Sequence, residues 1–321
     1  MERSNTATAS FPHGEREELR TLQSTVLNVL AYFDVFAHPL TVEEIERFAI
    51  GTATSQDQIR EALKRLATNG LVHQAGQYWG LHEVENNVRE RLAAESRART
   101  RMPRAEVMAR RIARFPFVRA VFISGSLSKG CLAADGDIDF FVVTTPGRLW
   151  VARTLLVLYK KVFLLNSRRD FCVNYFLDTE HLTVEDRNRF TATEVVTLMP
   201  MYGNGTTEAF FARNAWAFKM LPGAPTPKSR ELGIGPARSK GLMERLLLGR
   251  FGDALDHWCM QLTWHYWKRK FSELDPQAFE LALRTRTYVS KHHPRNFQAR
   301  VMDGHGQRLR TLEKRTGVPL S

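Results

Sequence analysis

The sequence predicts an α+β protein in three parts: a small helical N-terminal module, a central mixed sheet with flanking helices, and a helical C-terminal region. Three observations carry this. Apolar residues recur at helical spacing over residues 21–69, and two capping boxes fall in that span. Runs of β-branched and aromatic residues at 117–124, 137–143 and 171–177 read as strands among helical stretches. A Pro- and Gly-rich stretch at 223–240 then separates a final basic region, 241–321.

The bulk properties bound the function. A chain of 321 residues suggests about two domains and a core large enough to need no staple. The three cysteines, Cys131, Cys172 and Cys259, are odd in number and widely spaced. They form no CxxC and no disulfide framework, which points to a reducing, cytoplasmic setting. No signal-peptide core opens the chain. The most apolar stretch, 149–165, is interrupted by Arg153, Lys160 and Lys161 and is too short to span a bilayer, so no membrane partner is expected. The net charge is +12, unevenly spread: residues 228–321 carry +9 and residues 21–82 carry −2. A basic surface suits nucleotides, nucleic acid or acidic partners.

Residues 1–20 read as a flexible tail. From there Leu22, Val26, Val29, Leu30, Phe33 and Phe36 mark a helix that Pro39 ends. Thr41 with Glu44 caps a second helix, which Gly51 closes. Ser55 with Gln58 caps a third, which stops at Asn69-Gly70. "LVHQAGQYWGL" then reads as two short strands around Ala75-Gly76. Three helices followed by a hairpin, over residues 21–82, resemble the winged helix-turn-helix superfamily. That resemblance would make 55–69 a DNA recognition helix. The charge argues against it: Arg60, Lys64 and Arg65 are set against Asp57 and Glu61, and DNA affinity rests on phosphate neutralisation.

Residues 83–114 form an arginine-rich connecting helix, with Pro103 inside it. The central domain, 115–222, holds the three strands and a helix over 147–165. Residues 185–221 and 241–290 read as mostly helical. No internal repeat is present.

The chemistry concentrates at 124–140, "SGSLSKGCLAADGDIDF". Gly125-Ser126 follows a strand, and ten residues later Asp137-Ile138-Asp139 opens another. Period-2 alternation puts both acids on one face, where they repel unless a cation lies between them. Mg²⁺, or Mn²⁺ in its place, is a hard cation suited to carboxylate and phosphate oxygens. A glycine at 125 lets the backbone approach a phosphate, and the Ser126 hydroxyl can donate to it.

This strand, Gly-Ser turn, helix and Asp-x-Asp strand resemble the nucleotidyltransferase superfamily that includes DNA polymerase β, over about residues 115–180. The resemblance implies that Asp137 and Asp139 bind the metal and act in catalysis. It implies that Gly125 and Ser126 bind the triphosphate of a nucleotide. Transfer of a nucleoside monophosphate to an acceptor hydroxyl would release pyrophosphate, with metal stabilising both oxygens. The acceptor is left open: RNA, protein or small molecule. Lys129, in the turn, is a candidate phosphate contact or a solvated lysine. Asp135 reads as a loop residue with a supporting role.

The superfamily takes a third carboxylate from the next strand. In "RRDFCVNYFLD" the central position of the matching face is Asn174, and Asp170 lies further along that face as a partial substitute. The departure leaves a second class open: a catalytically impaired nucleotide-binding regulator acting through its N-terminal module. Glu194 reads as a capping-box partner of Thr191. "SKHHPRN" at 290–296 is basic enough to face a polyanion, but adjacent His292 and His293 cannot share a helix face as a metal pair. Trp258, Trp264 and Trp267 read as core, with Lys268, Arg269 and Lys270 solvated. No GxSxG, HExxH or Walker loop occurs, and "GNG" at 203–205 lacks the rest of a dinucleotide fingerprint.

Overall fold

The computed structural model describes residues 13–320 apart from 52, 83, 168, 231, 234–237 and 295. The chain forms two compact units. One runs to Val88 and takes up the chain again from Asp303, and the other is Arg89–Met302. The architecture is mixed α+β. No helix among the described residues is long and apolar enough to cross a membrane.

The first unit begins with α1 (His13–Asp34), so the tail expected to reach residue 20 is already helical from His13, and its first part lies outside the described residues. Helices α2 (Val42–Phe48) and α3 (Gln56–Thr68) open on the two capping boxes. Thr41 and Ser55 each accept from the backbone N–H three residues on, while Glu44 and Gln58 reach back. Helix α3 ends in a Schellman motif. Gly70 takes the left-handed conformation at φ +65°. Its N–H bonds to Ala67 O at 2.9 Å, and Leu71 N–H bonds to Leu66 O at 2.9 Å. The hairpin β1 (His73–Ala75) and β2 (Tyr78–Gly80) follows. Leu40 exchanges two backbone hydrogen bonds with Trp79, adding a third short pairing.

Val26, Val29, Leu30 and Phe33 are buried at the spacing read from sequence, while Phe36 falls past the end of α1 and is exposed; Ile45, Ile59, Leu63 and Leu66 are buried beside them. Residues from 303 on belong to this unit and not to the basic C-terminal region with which the sequence grouped them. Arg308 pairs with Asp34, and Arg315 Nη2 donates to Gly70 O at 3.1 Å.

Helix α4 (Glu85–Ala113) carries Pro103 and links the units in sequence. The second unit then runs through β3 (Val118–Ser124), α5 (Gly125–Ser128), β4 (Asp139–Thr144), α6 (Leu149–Phe163), β5 (Cys172–Asp178), α7 (Arg189–Thr197), β6 (Met199–Tyr202), α8 (Asn204–Arg213) and α9 (Ala215–Met220). It continues through α10 (Arg238–Leu246), α11 (Arg250–Lys270), α12 (Pro276–Ala282), β7 (Thr285–Arg286) and β8 (Val289–Lys291), and α13 (Phe297–Thr316) starts within it.

Six strands form one sheet in the order β6-β3-β4-β5-β8-β7, with β4 and β5 parallel and every other pair antiparallel. Both faces are covered, which explains the unbroken apolar runs of β3 and β4. Val121, Ile123, Phe140 and Val142 pack in one core with Met108, Ile112 and Trp150. Phe122 and Phe141 meet Phe210 of α8 on the other face, with ring centroids 5.2 Å apart in each pair.

Two segments read as helical are strands. Met199–Tyr202 is the outer strand β6, where Pro200 is tolerated because an edge leaves its missing N–H unneeded. Residues 285–291 form the β7–β8 hairpin that extends the sheet beyond β5. Both pair with strands far away in sequence, and such pairing overrides local helical periodicity.

Candidate functional site

The sheet register brings the two motifs together. Ser124, the last residue of β3, is directly opposite Asp139, the first of β4. The next residue, Gly125, turns the chain at φ +67°. A Cβ built there would lie 2.5 Å from Asp139 Oδ2, so the position has no room for a side chain. Ser126 is exposed, and its hydroxyl has no hydrogen-bond partner among the described residues. Ser128 Oγ donates to Gly125 O at 2.9 Å, and Lys129 Nζ donates to the same carbonyl at 3.0 Å.

Ile138 fixes the direction of the acids on either side of it. It is fully buried. Its N–H bonds to Arg169 O, and its carbonyl accepts from Cys172 N–H, both at 3.0 Å. This pairing extends the β4–β5 ladder one residue below the strand, so Asp137 and Asp139 alternate away from the core together. Asp137 is half-buried and has no hydrogen bond or ion pair among the described residues.

Asp139 is different. Asn174 Nδ2 donates to its Oδ1 at 2.8 Å. Burial pushes its carboxyl up to about 7; a hydrogen bond from the Cys172 thiol and the charge of Lys129 oppose the rise, and Asp137 and Glu194 reinforce it. Burial and Asp139 together push the Cys172 thiol up as well, which keeps it protonated.

Glu194 is the site residue that sequence reasoning misassigned. The cap of α7 is Asn188, whose Oδ1 accepts from Thr191 N–H at 3.0 Å, so Thr191 is not the start of a capping box. Glu194 instead reaches Lys129 Nζ at 2.8 Å. Lys129 is therefore neither solvated nor unengaged. The available signal was a lone carboxylate inside the apolar run "TATEVVT".

His293 joins the same neighbourhood. Burial lowers its imidazole to about 4, with repulsion from Lys291 adding to the shift and Glu194 opposing it. Its ring packs edge-on to Tyr175 at 6.3 Å. Part of the segment read as facing a polyanion is internal: Ser290 and Lys291 are buried, and Lys291 is bonded to Asp186 and Gln298, each at 3.0 Å, while Arg295 lies outside the described residues.

Asp170 is not brought to the pair. It precedes β5 and forms ion pairs with Arg101 Nη2 at 2.8 Å and Arg104 Nε at 3.2 Å. It is not among the main charges acting on Asp139. Asn174, at the central position, touches Asp139 where Asp170 does not.

The chain matches no family model, no curated protein and no solved structure. The geometry above therefore carries the functional argument alone.

Among the described residues, no group of three or more His, Cys, Asp or Glu side chains is placed to hold a metal. The donor set is the pair Asp137 and Asp139. That set suits one Mg²⁺ completed by waters and phosphate oxygens, the usual way this ion is bound. It does not form an all-protein cage.

Elsewhere the expectations divide. Of the three tryptophans, Trp267 is core while Trp258 is 58% exposed. On α3, Arg60 pairs with Asp57 at 2.9 Å and Arg65 with Glu61 at 2.8 Å, so two of its three cations are already engaged.

Proposed function

We propose that this chain is a magnesium-dependent nucleotidyltransferase of the polymerase-β-like kind. It transfers a nucleoside monophosphate from a nucleoside triphosphate to an acceptor hydroxyl and releases pyrophosphate. The observation that carries this reading is the fit of Gly125 against Asp139, where even a methyl group would meet Oδ2 at 2.5 Å. A turn that close to a buried acid is what a polyphosphate bridging backbone and metal requires. The antiparallel β3–β4 pair and the parallel β4–β5 pair supply the strand setting in which the resemblance expects that turn and the acids.

Asp137 and Asp139 hold the ion, with Mn²⁺ able to replace Mg²⁺. The ion supplies charge neutralisation at the polyphosphate. Gly125 admits the backbone to the phosphates. The Ser126 hydroxyl donates to a phosphate oxygen. Glu194 orients Lys129 beside the turn, from which its ammonium balances the charge of Asp139. Asn174 holds one Asp139 oxygen and leaves the other for the ion. The first unit is read as a winged helix that serves as a packing or protein-docking module, since two of the three cations of α3 are paired. We read the protein as cytoplasmic.

A second reading is favoured by one specific observation: an amide, not an acid, faces Asp139. In this reading the chain binds a nucleotide and a metal but does not transfer, and it signals through the first unit. Incubation with labelled ribonucleoside triphosphates and Mg²⁺ separates the two. Pyrophosphate release abolished by Asp137→Ala or Asp139→Ala supports transfer. Saturable nucleotide binding without release supports the regulator. Absence of any binding with either metal overturns both.

A further inference from the structure

The second unit holds a cavity of about 240 Å³, lined in part by Gly136. It is smaller than the ~300–1,000 Å³ of pockets that take a whole ligand, so it suits a single chemical group. Arg97 and Arg101 line it from α4, and Arg169 lines it from the loop before β5. Ser96 and Thr100 add two hydroxyl-bearing residues, and Gly136 places it next to Asp137 in the chain. Among the described residues, no carboxylate lines it. Asp135 and Asp137 flank Gly136 but are not part of the wall.

The charge around this cavity is unbalanced. Arg97, Arg101 and Arg104 recur at helical spacing on one side of α4. Among the described residues, Asp170 is the one carboxylate that forms an ion pair with any of these three or with Arg169, and it pairs with Arg101 and Arg104. Two of the guanidiniums are also oriented by backbone: Arg97 Nε donates to Leu132 O at 2.8 Å, and Arg101 Nη2 to Arg169 O at 3.2 Å. Arg169 is exposed, and its side chain has no partner among the described residues. Solvated arginines spread apart to reduce repulsion. Here Arg97, Arg101 and Arg104 are held in direction by their partners, and a doubly charged anion would relieve the cost. Guanidinium forks match phosphate oxygens in geometry as well as charge.

We propose that this cavity binds a phosphomonoester carried by the acceptor. The proposal rests on the transfer reading only for the word acceptor: a phosphate held beside Gly136 presents the rest of its molecule to the neighbouring acid, Asp137. Asp170 then acts as a positioning residue that aims Arg101 and Arg104.

Calorimetry on the full chain in EDTA tests this, because the cavity needs no divalent ion. The probes are inorganic phosphate, ribose 5-phosphate, and a short single-stranded oligonucleotide with and without its 5′-phosphate. A phosphate probe binds saturably, and Arg169→Ala and Arg97→Gln each weaken it about tenfold or more, the loss of one charge-assisted hydrogen bond. Asp139→Asn leaves this binding intact. Circular dichroism checks that Arg169→Ala, which removes no contact within the protein, stays folded. Tighter binding of the 5′-phosphorylated oligonucleotide identifies a nucleic-acid end, and tighter binding of ribose 5-phosphate identifies a small molecule. The proposal is overturned if no probe binds, if neither variant weakens binding, or if the oligonucleotide binds equally without its terminal phosphate. The readout uses neither metal nor triphosphate, so its failure and the failure of the transfer reading are separate results.

Discussion

Asn174 donates a hydrogen bond to Asp139 across the parallel β4–β5 pair, 2.8 Å from Nδ2 to Oδ1. Replacing the amide with a carboxylate puts like charges in contact at a desolvated position. Asn174→Asp should therefore cost about 1–3 kcal/mol of stability in EDTA, the scale for turning a good buried bond into an unfavourable one. Millimolar Mg²⁺ should return much of that loss by neutralising the third acid. Denaturant melts with and without the ion measure both effects. Equal stability of the variant in the two conditions would count against a cation site here.

The Gly125 turn makes a sharper prediction. Gly125→Ala forces a side chain to adopt φ +67° and to meet Asp139 Oδ2 and Cβ at 2.5 and 3.3 Å. The backbone strain alone is about 1–2 kcal/mol. Because Asp139 must move, nucleotide binding should fall much further than stability does. Thermal melts alongside titration with a non-hydrolysable triphosphate check the two separately. Unaltered nucleotide affinity would show that the turn plays no part in binding.

His293 gives the protein an acid limit. Its folded pKa lies near 4, below the unfolded histidine value of 6.5. Between those values the unfolded chain binds more protons than the folded one, so stability rises with pH across the window and is lost as pH falls from about 6.5 to 4. The contribution is about 3 kcal/mol at its full extent. His293→Gln should flatten the dependence in that range, which denaturant midpoints at pH 4.5 and pH 7 would reveal.

Arg148 ties the start of α6 to the α10–α11 connection. Its buried guanidinium donates to Leu247 O at 2.9 Å, Gly249 O at 3.2 Å and Asp253 Oδ1 at 2.6 Å. Arg148→Ala leaves those acceptors without their donor and should destabilise by about 2–4 kcal/mol. Gly252→Ala, whose Cβ would fall 1.9 Å from Leu247 O, should disturb the same junction. Guanidinium denaturation of the two variants measures this, and wild-type midpoints in both would refute it.

By themselves the residues of this chain determined many features that depend on near neighbours, though not the cap of α7, which is Asn188 and not Thr191. The capping pairs Thr41–Glu44 and Ser55–Gln58, the stop at Gly70, and strands β3, β4 and β5 follow from hydrogen bonds and periodicities spanning a few positions, while the approach of the Gly125 turn to Asp139 comes from the β3–β4 register. What meets Asp139, Lys129 and Asp170 was decided only by tertiary structure. Asn174 reaches Asp139 from 35 residues away, Glu194 reaches Lys129 from 65, and Arg104 reaches Asp170 from 66. Strands β6, β7 and β8 were hidden for the same reason: an edge strand is defined by the partner it finds, and a window a few residues wide contains no information about that partner.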